Sequence, residues 1–139
     1  MKMRLLVLVF SLLPGLVIAQ AVCPVSFEQF LSKFELDRTF QQQHIHYPLR
    51  YSFIDLGALP EPRAVFKSLS KTEVATRSSP IYPSLAHQTE LNLAKNVDLQ
   101  STALAAVRLW KPDTGYLLIY RFKQIGGCWK LVEFEDAST

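Results

Sequence analysis

His44 and His46 come closest, among the residues of this 139-residue chain, to the spacing of a metal chelate. On an extended segment, residues two apart share one face. A zinc-type site needs at least a third protein ligand, and the other histidine, His87, is remote in sequence. The pair therefore reads as solvent-facing polar residues of a strand. No Gly-x-Ser-x-Gly, His-Glu-x-x-His or phosphate-cradling loop occurs. Asp113 belongs to a Pro112-Asp113-Thr114-Gly115 turn, where aspartate commonly bonds to nearby backbone. The residues assign no catalytic group, no metal site and no cofactor.

A sharper pattern lies near the C-terminus. If the Pro112–Gly115 loop pairs Lys111 with Tyr116, Leu109 faces Leu118, Val107 faces Tyr120 and Ala105 faces Phe122. A Gly126-Gly127 turn then sets Phe122 against Leu131 and Tyr120 against Glu133. The opposite face carries Trp110, Leu117, Ile119, Val132 and Phe134, with Arg108 and Arg121 as diagonal neighbours. Two guanidinium groups beside an aromatic ring suit a carboxylate, sulfate or phosphate. Arg108, Arg121 and Trp110 are therefore the candidate ligand-binding residues. The alternative is that the arginines pair with the chain's own acids. Glu133 beside Tyr120 is the one candidate for a buried pocket carboxylate.

Cys23 and Cys128 allow a single pairing, and the alternative to a disulfide is two buried thiols. Closing a loop of about 105 residues is worth about 4–5 kcal/mol on the chain-entropy account. An oxidising compartment favours the bridge, and the N-terminus points to such a compartment. Lys2 and Arg4 precede an apolar run from Leu5 to Leu13, and Pro14-Gly15 leads to the small residues Ala19 and Ala21. This is the order of a secretory signal over residues 1–21, cleaved to leave Gln20 or Val22 first. The run is shorter than the roughly 20 residues that span a bilayer, so no stable membrane anchor is expected. Val22 before Cys23 suits lipoprotein processing poorly.

Residues 22–139 are expected to form a single domain. Losing Lys2 and Arg4 from fifteen basic residues leaves thirteen against twelve acidic, a net charge of +1. A nucleic-acid footprint is absent at that balance.

The elements that must position these residues are legible at both ends. Ser26 and Gln29 have capping-box spacing, with Val25 and Phe30 at the staple positions. Phe27, Phe30, Leu31 and Phe34 follow at i, i+3, i+4 and i+7, which predicts an amphipathic helix over about 26–37 with Glu28, Lys33 and Glu35 on its polar side. Residues 44–51 read as a strand, placed at a sheet edge by Pro48. Residues 57–63 read as a loop, and 78–84 as turn-like. A β-meander follows over 104–111, 116–125 and 128–134.

The spacing Phe27-x-x-Phe30…Phe34…Asp37-x-x-Phe40-Gln41, then Ile45-x-Tyr47-Pro48-Leu49, resembles an uncharacterised family of exported bacterial proteins. The ending Tyr120-x-Phe122…Gly127-x-Trp129-x-Leu131-Val132 is similar as well, while residues 57–100 are unmatched. The resemblance implies a nuclear-transport-factor-2-like, or cystatin-like, α+β fold, with an N-terminal helix packed on a curved antiparallel β-meander. It carries over no enzymatic residue. The expectation is an exported, non-enzymatic module that binds a small ligand or another envelope protein. A pocket enzyme of the same fold and a structural homodimer are the alternatives. A buried carboxylate or histidine at the closed end of a pocket would favour the enzyme.

Overall fold

The computed structural model describes residues 23, 24 and 26–139. The proposed signal segment and the staple residue Val25 lie outside them. Helix α1 (Phe27–Leu36) begins at Ser26, whose hydroxyl accepts from the Gln29 N–H. It ends where Asp37 turns the chain, and the Asp37 carboxylate caps α2 (Arg38–Gln43) by accepting from Thr39 and Phe40 N–H. The predicted stripe is the buried one: Phe30 and Phe34 are fully covered, Phe27 and Leu31 nearly so. Burying each such side chain contributes about 1.5–3 kcal/mol.

Among the described residues, six strands form one sheet in the order β2-β1-β6-β5-β4-β3. They are β1 (Ile45–Asp55), β2 (Arg63–Leu69), β3 (Ala94–Leu99), β4 (Leu104–Trp110), β5 (Leu117–Ile125) and β6 (Cys128–Asp136). All neighbours are antiparallel except β1 and β6, which run parallel. This placement corrects the expectation that Pro48 marks a sheet edge. β1 is interior, but Pro48 falls in the ladder irregularity between Ile45 and Arg50, and just before pairing with β2 starts at Leu49. Its missing N–H therefore costs no ladder bond.

The β4–β5 register is the expected one, with Lys111 N–H donating to Tyr116 C=O and Ala105, Val107 and Leu109 opposite Phe122, Tyr120 and Leu118. The left-handed residue in the connecting loop is Asp113 (φ 60°). Gly115 keeps this loop close to the chain's last residue, because a Cβ there would collide with the Thr139 backbone oxygen.

The β5–β6 register holds only as far as Phe122–Leu131. A bulge then leaves Val132 unmatched, pairing Arg121 with Glu133 and Tyr120 with Phe134. Because strand side chains alternate, one extra residue exchanges the two faces beyond it. Phe134 is thereby buried and stacked on Tyr120, with ring centroids 4.9 Å apart.

The core lies between α1 and the concave face of the sheet. Phe27, Phe30 and Phe34 meet Phe122 edge-on at 5.3–5.8 Å between centroids. The middle segment closes one end of that face through α3 (Lys71–Ala75), α4 (Leu85–Glu90) and the turns between them. Cys23 and Cys128 stand at disulfide distance, with Cα atoms 5.4 Å apart, tying the approach to α1 to the start of β6.

Candidate functional site

The outer face of the sheet holds the three residues expected to bind a ligand. Arg108 pairs with Ile119, Arg121 with Ala106 and Trp110 with Leu117, so all three share that face. Their partners divide them. Arg121 Nη1 donates to Glu133 Oε1 at 2.7 Å, and its Nη2 donates to Glu135 Oε2 at 2.9 Å. Arg50 also bonds Glu133, so acids and bases alternate along this face. The bulge at Val132 creates the arrangement, because it carries Glu133 from the Tyr120 side to the Arg121 side. Glu133 beside Tyr120 is thus corrected: the carboxylate lies on the outer face. Arg108 is exposed and has no acidic partner among the described residues, and Trp110 beside it is half-buried.

The histidines do not converge. His44 caps α2 rather than lying on the strand, stacks on Phe40 at 3.8 Å and donates its Nδ1–H to the Phe40 carbonyl at 2.8 Å. Loss of solvent on burial lowers its pKa and favours the neutral ring. His46 is exposed, and His87 lies against Glu90. Among the described residues no cluster of three metal-ligating side chains occurs.

A groove of about 590 Å³ lies between α1 and β3. Phe27, Leu31 and Glu35 line it from the helix, and Lys95, Val97 and Leu99 from the strand. It exists because α1 crosses the concave face without covering the edge strand. Val97 and Leu99 consequently remain 43% and 59% exposed on the side that elsewhere forms the core.

Glu35, only 6% exposed, joins the two walls. Lys95 Nζ donates to its two oxygens at 2.7 and 3.0 Å. Tyr82 Oη donates to Oε1 at 3.0 Å, and Gln88 Nε2 to the same oxygen at 3.4 Å. Burial first, and then the adjacent carboxylate, raise the Tyr82 pKa far beyond its ordinary value, keeping the hydroxyl a donor. Gln41 Nε2 fixes the segment that carries Tyr82, donating to the carbonyls of Phe34 and Tyr82.

Glu35, expected on the polar side of the helix, lies four residues after Leu31 and so continues the buried stripe. That spacing is the signal that could have found it.

No protein-family model and no curated protein sequence matches the chain. Among solved structures, an NTF2-like protein from Bacteroides fragilis superposes with a TM-score of 0.59 at 20% identity, covering 88% of this chain. The fold is NTF2-like. The chain spans half the length of that structure. In this NTF2-like domain the groove lies between the long helix and the sheet edge, with the Glu35–Lys95 pair bridging its two walls. Among the described residues no helix is long and apolar enough to cross a membrane.

Proposed function

We propose that this chain is an exported, non-enzymatic binding module whose ligand occupies the groove between α1 and β3. The observation that carries the reading is the state of Glu35. A general base must present its carboxylate to the proton it removes, whereas Glu35 is committed to structural bonds: Oε1 accepts from Lys95, Tyr82 and Gln88, and Oε2 accepts from Lys95. The groove therefore offers shape and apolar contact around a neutralised ion pair. Phe27, Leu31, Val97 and Leu99 supply the apolar walls, and its volume lies within the ordinary range of ligand sites, roughly 300–1,000 Å³. Export is supported by the charged-then-apolar order of residues 1–21 and by two cysteines at disulfide distance.

The test is an amide-resolved NMR titration of the mature chain with a library of small apolar fragments. Hits should shift the amides of Leu31, Lys95 and Val97 and should still bind the Glu35→Gln variant. Shifts confined to other surfaces, or turnover of any fragment that Glu35→Gln abolishes, would overturn the reading.

A second contact is favoured by Arg108, whose guanidinium has no acidic partner among the described residues. With Arg121 neutralised by Glu133 and Glu135, the anion-binding role expected of Arg108, Arg121 and Trp110 falls to Arg108 and the Trp110 ring beside it.

A further inference from the structure

The strand that walls the groove is also an edge of the sheet, and the same three residues serve both roles. Two backbone hydrogen bonds fix the direction of its N–H and C=O groups. Gln100 N–H donates to the Leu104 carbonyl, and Lys111 N–H donates to that of Tyr116. Since N–H and C=O directions alternate along a strand, even-numbered residues of β3 face β4, consistent with the pairs Asn96–Arg108 and Asp98–Ala106. The N–H and C=O groups of Lys95, Val97 and Leu99 then point outward from the sheet. β4 is the only strand paired with β3 among the described residues.

Natural sheets protect such an edge with charges, proline, a bulge or a covering segment. Among the described residues, β3 has none of these on its outward positions apart from Lys95, whose charge Glu35 neutralises. Beside the edge stands an apolar groove rather than solvent alone.

Resting on the groove reading above, we infer that the ligand is an extended polypeptide segment, held as a seventh strand against β3. Two features of the site are met by one occupant. The outward donors and acceptors recur every second residue, as only another β-strand presents them. Alternate side chains of an added strand would project on the concave side, over the gap bordered by Phe27 and Leu31. The partner is therefore a segment in which every second residue is apolar. Main-chain bonds supply much of the affinity, and the groove selects the side chains.

Peptides selected from a displayed library of random dodecamers against the immobilised mature chain provide the probe. Enriched sequences should alternate apolar and polar residues and should slow amide exchange at Lys95, Val97 and Leu99. N-methylation of alternate residues in the best peptide should abolish binding for one parity and spare the other. Val97→Pro removes an N–H that no internal bond uses, so the fold should persist while peptide affinity falls at least tenfold. If that variant fails to fold, the N-methyl series on the unaltered chain decides alone.

The inference is overturned if both N-methyl parities bind, or if a folded Val97→Pro variant binds as before. A chain that is already dimeric, with Val97 protected before peptide is added, also overturns it in favour of a second copy. If small fragments occupy the groove while no peptide is enriched, the strand proposal fails and the groove reading stands. If neither binds there, both fail.

Discussion

The hydroxyl of Tyr82 donates to Oε1 of Glu35 across 47 residues of sequence, at 3.0 Å and in a fully buried position. This contact couples the middle segment to the end of α1, and through Lys95 it reaches the edge strand. The groove has a defined width at that end because three separate parts of the chain meet on one carboxylate.

Breaking the cluster from either side should therefore destabilise the chain. Removing one partner of a buried pair costs about 3–5 kcal/mol when both are buried, and the one-third exposure of the Lys95 side chain (32%) reduces that figure. Lys95→Met is expected to cost about 2–3 kcal/mol in chemical unfolding. In the double variant with Glu35→Leu, part of that loss should return, giving a coupling above about 1 kcal/mol in a double-mutant cycle. Strict additivity would show that the pair contributes no coupling.

The cysteine pair gives a second expectation. A bridge between Cys23 and Cys128 constrains a long loop and holds α1 against the start of β6. Its reduction should cost 2–5 kcal/mol, read as a clear fall in melting temperature. Rapid alkylation of both thiols in the non-reduced, unfolded protein would contradict the bridge.

His44 makes stability depend on pH. Its folded pKa lies below the unfolded value of about 6.5, so the unfolded chain binds the proton more tightly. The His44 contribution is then fully present above about pH 6.5 and is lost as pH falls through the folded pKa. Between pH 7.5 and 5.5 the native chain should lose stability, and His44→Gln should flatten that slope. An unchanged slope in the variant would assign the dependence to other groups.

On the outer face, Arg108→Gln should weaken binding of inorganic sulfate, followed by shifts of the Trp110 indole N–H. Arg121→Gln should instead destabilise the face by leaving Glu133 and Glu135 without one cation, an effect of about 1 kcal/mol or less at this exposure. Equal loss of sulfate binding in both variants would restore a shared role for the two arginines.

How much of this was legible in the sequence differs by region, for physical reasons. α1 announced itself because four large apolar residues at helical spacing leave little alternative. The β4–β5 register followed from a short loop whose ends must pair. The bulge at Val132 has no comparable signal, since Leu131-Val132-Glu133-Phe134 alternates equally well in either phase, and that single residue moved Glu133 and Phe134 to opposite faces from those expected.

The middle segment was hard to read because its helices are only five and six residues long. Tertiary bonds hold it more than local propensity does: Gln41 donates to the Tyr82 carbonyl, and Tyr82 and Gln88 donate to Glu35. Two local signals were present there: the Ser70–Glu73 capping box, and the alternation of Val97 and Leu99 with Asn96 and Asp98 that marks the edge strand.

The location of the binding site is tested most directly by filling the groove. The tightest groove-binding fragment from the NMR screen would be titrated calorimetrically into the unaltered chain, Val97→Trp and Arg108→Gln, with melting temperatures confirming that each is folded. The expected result is an affinity at least tenfold weaker for Val97→Trp and unchanged for Arg108→Gln. Undiminished binding to a folded Val97→Trp chain would contradict the assignment of the α1–β3 groove as the ligand site.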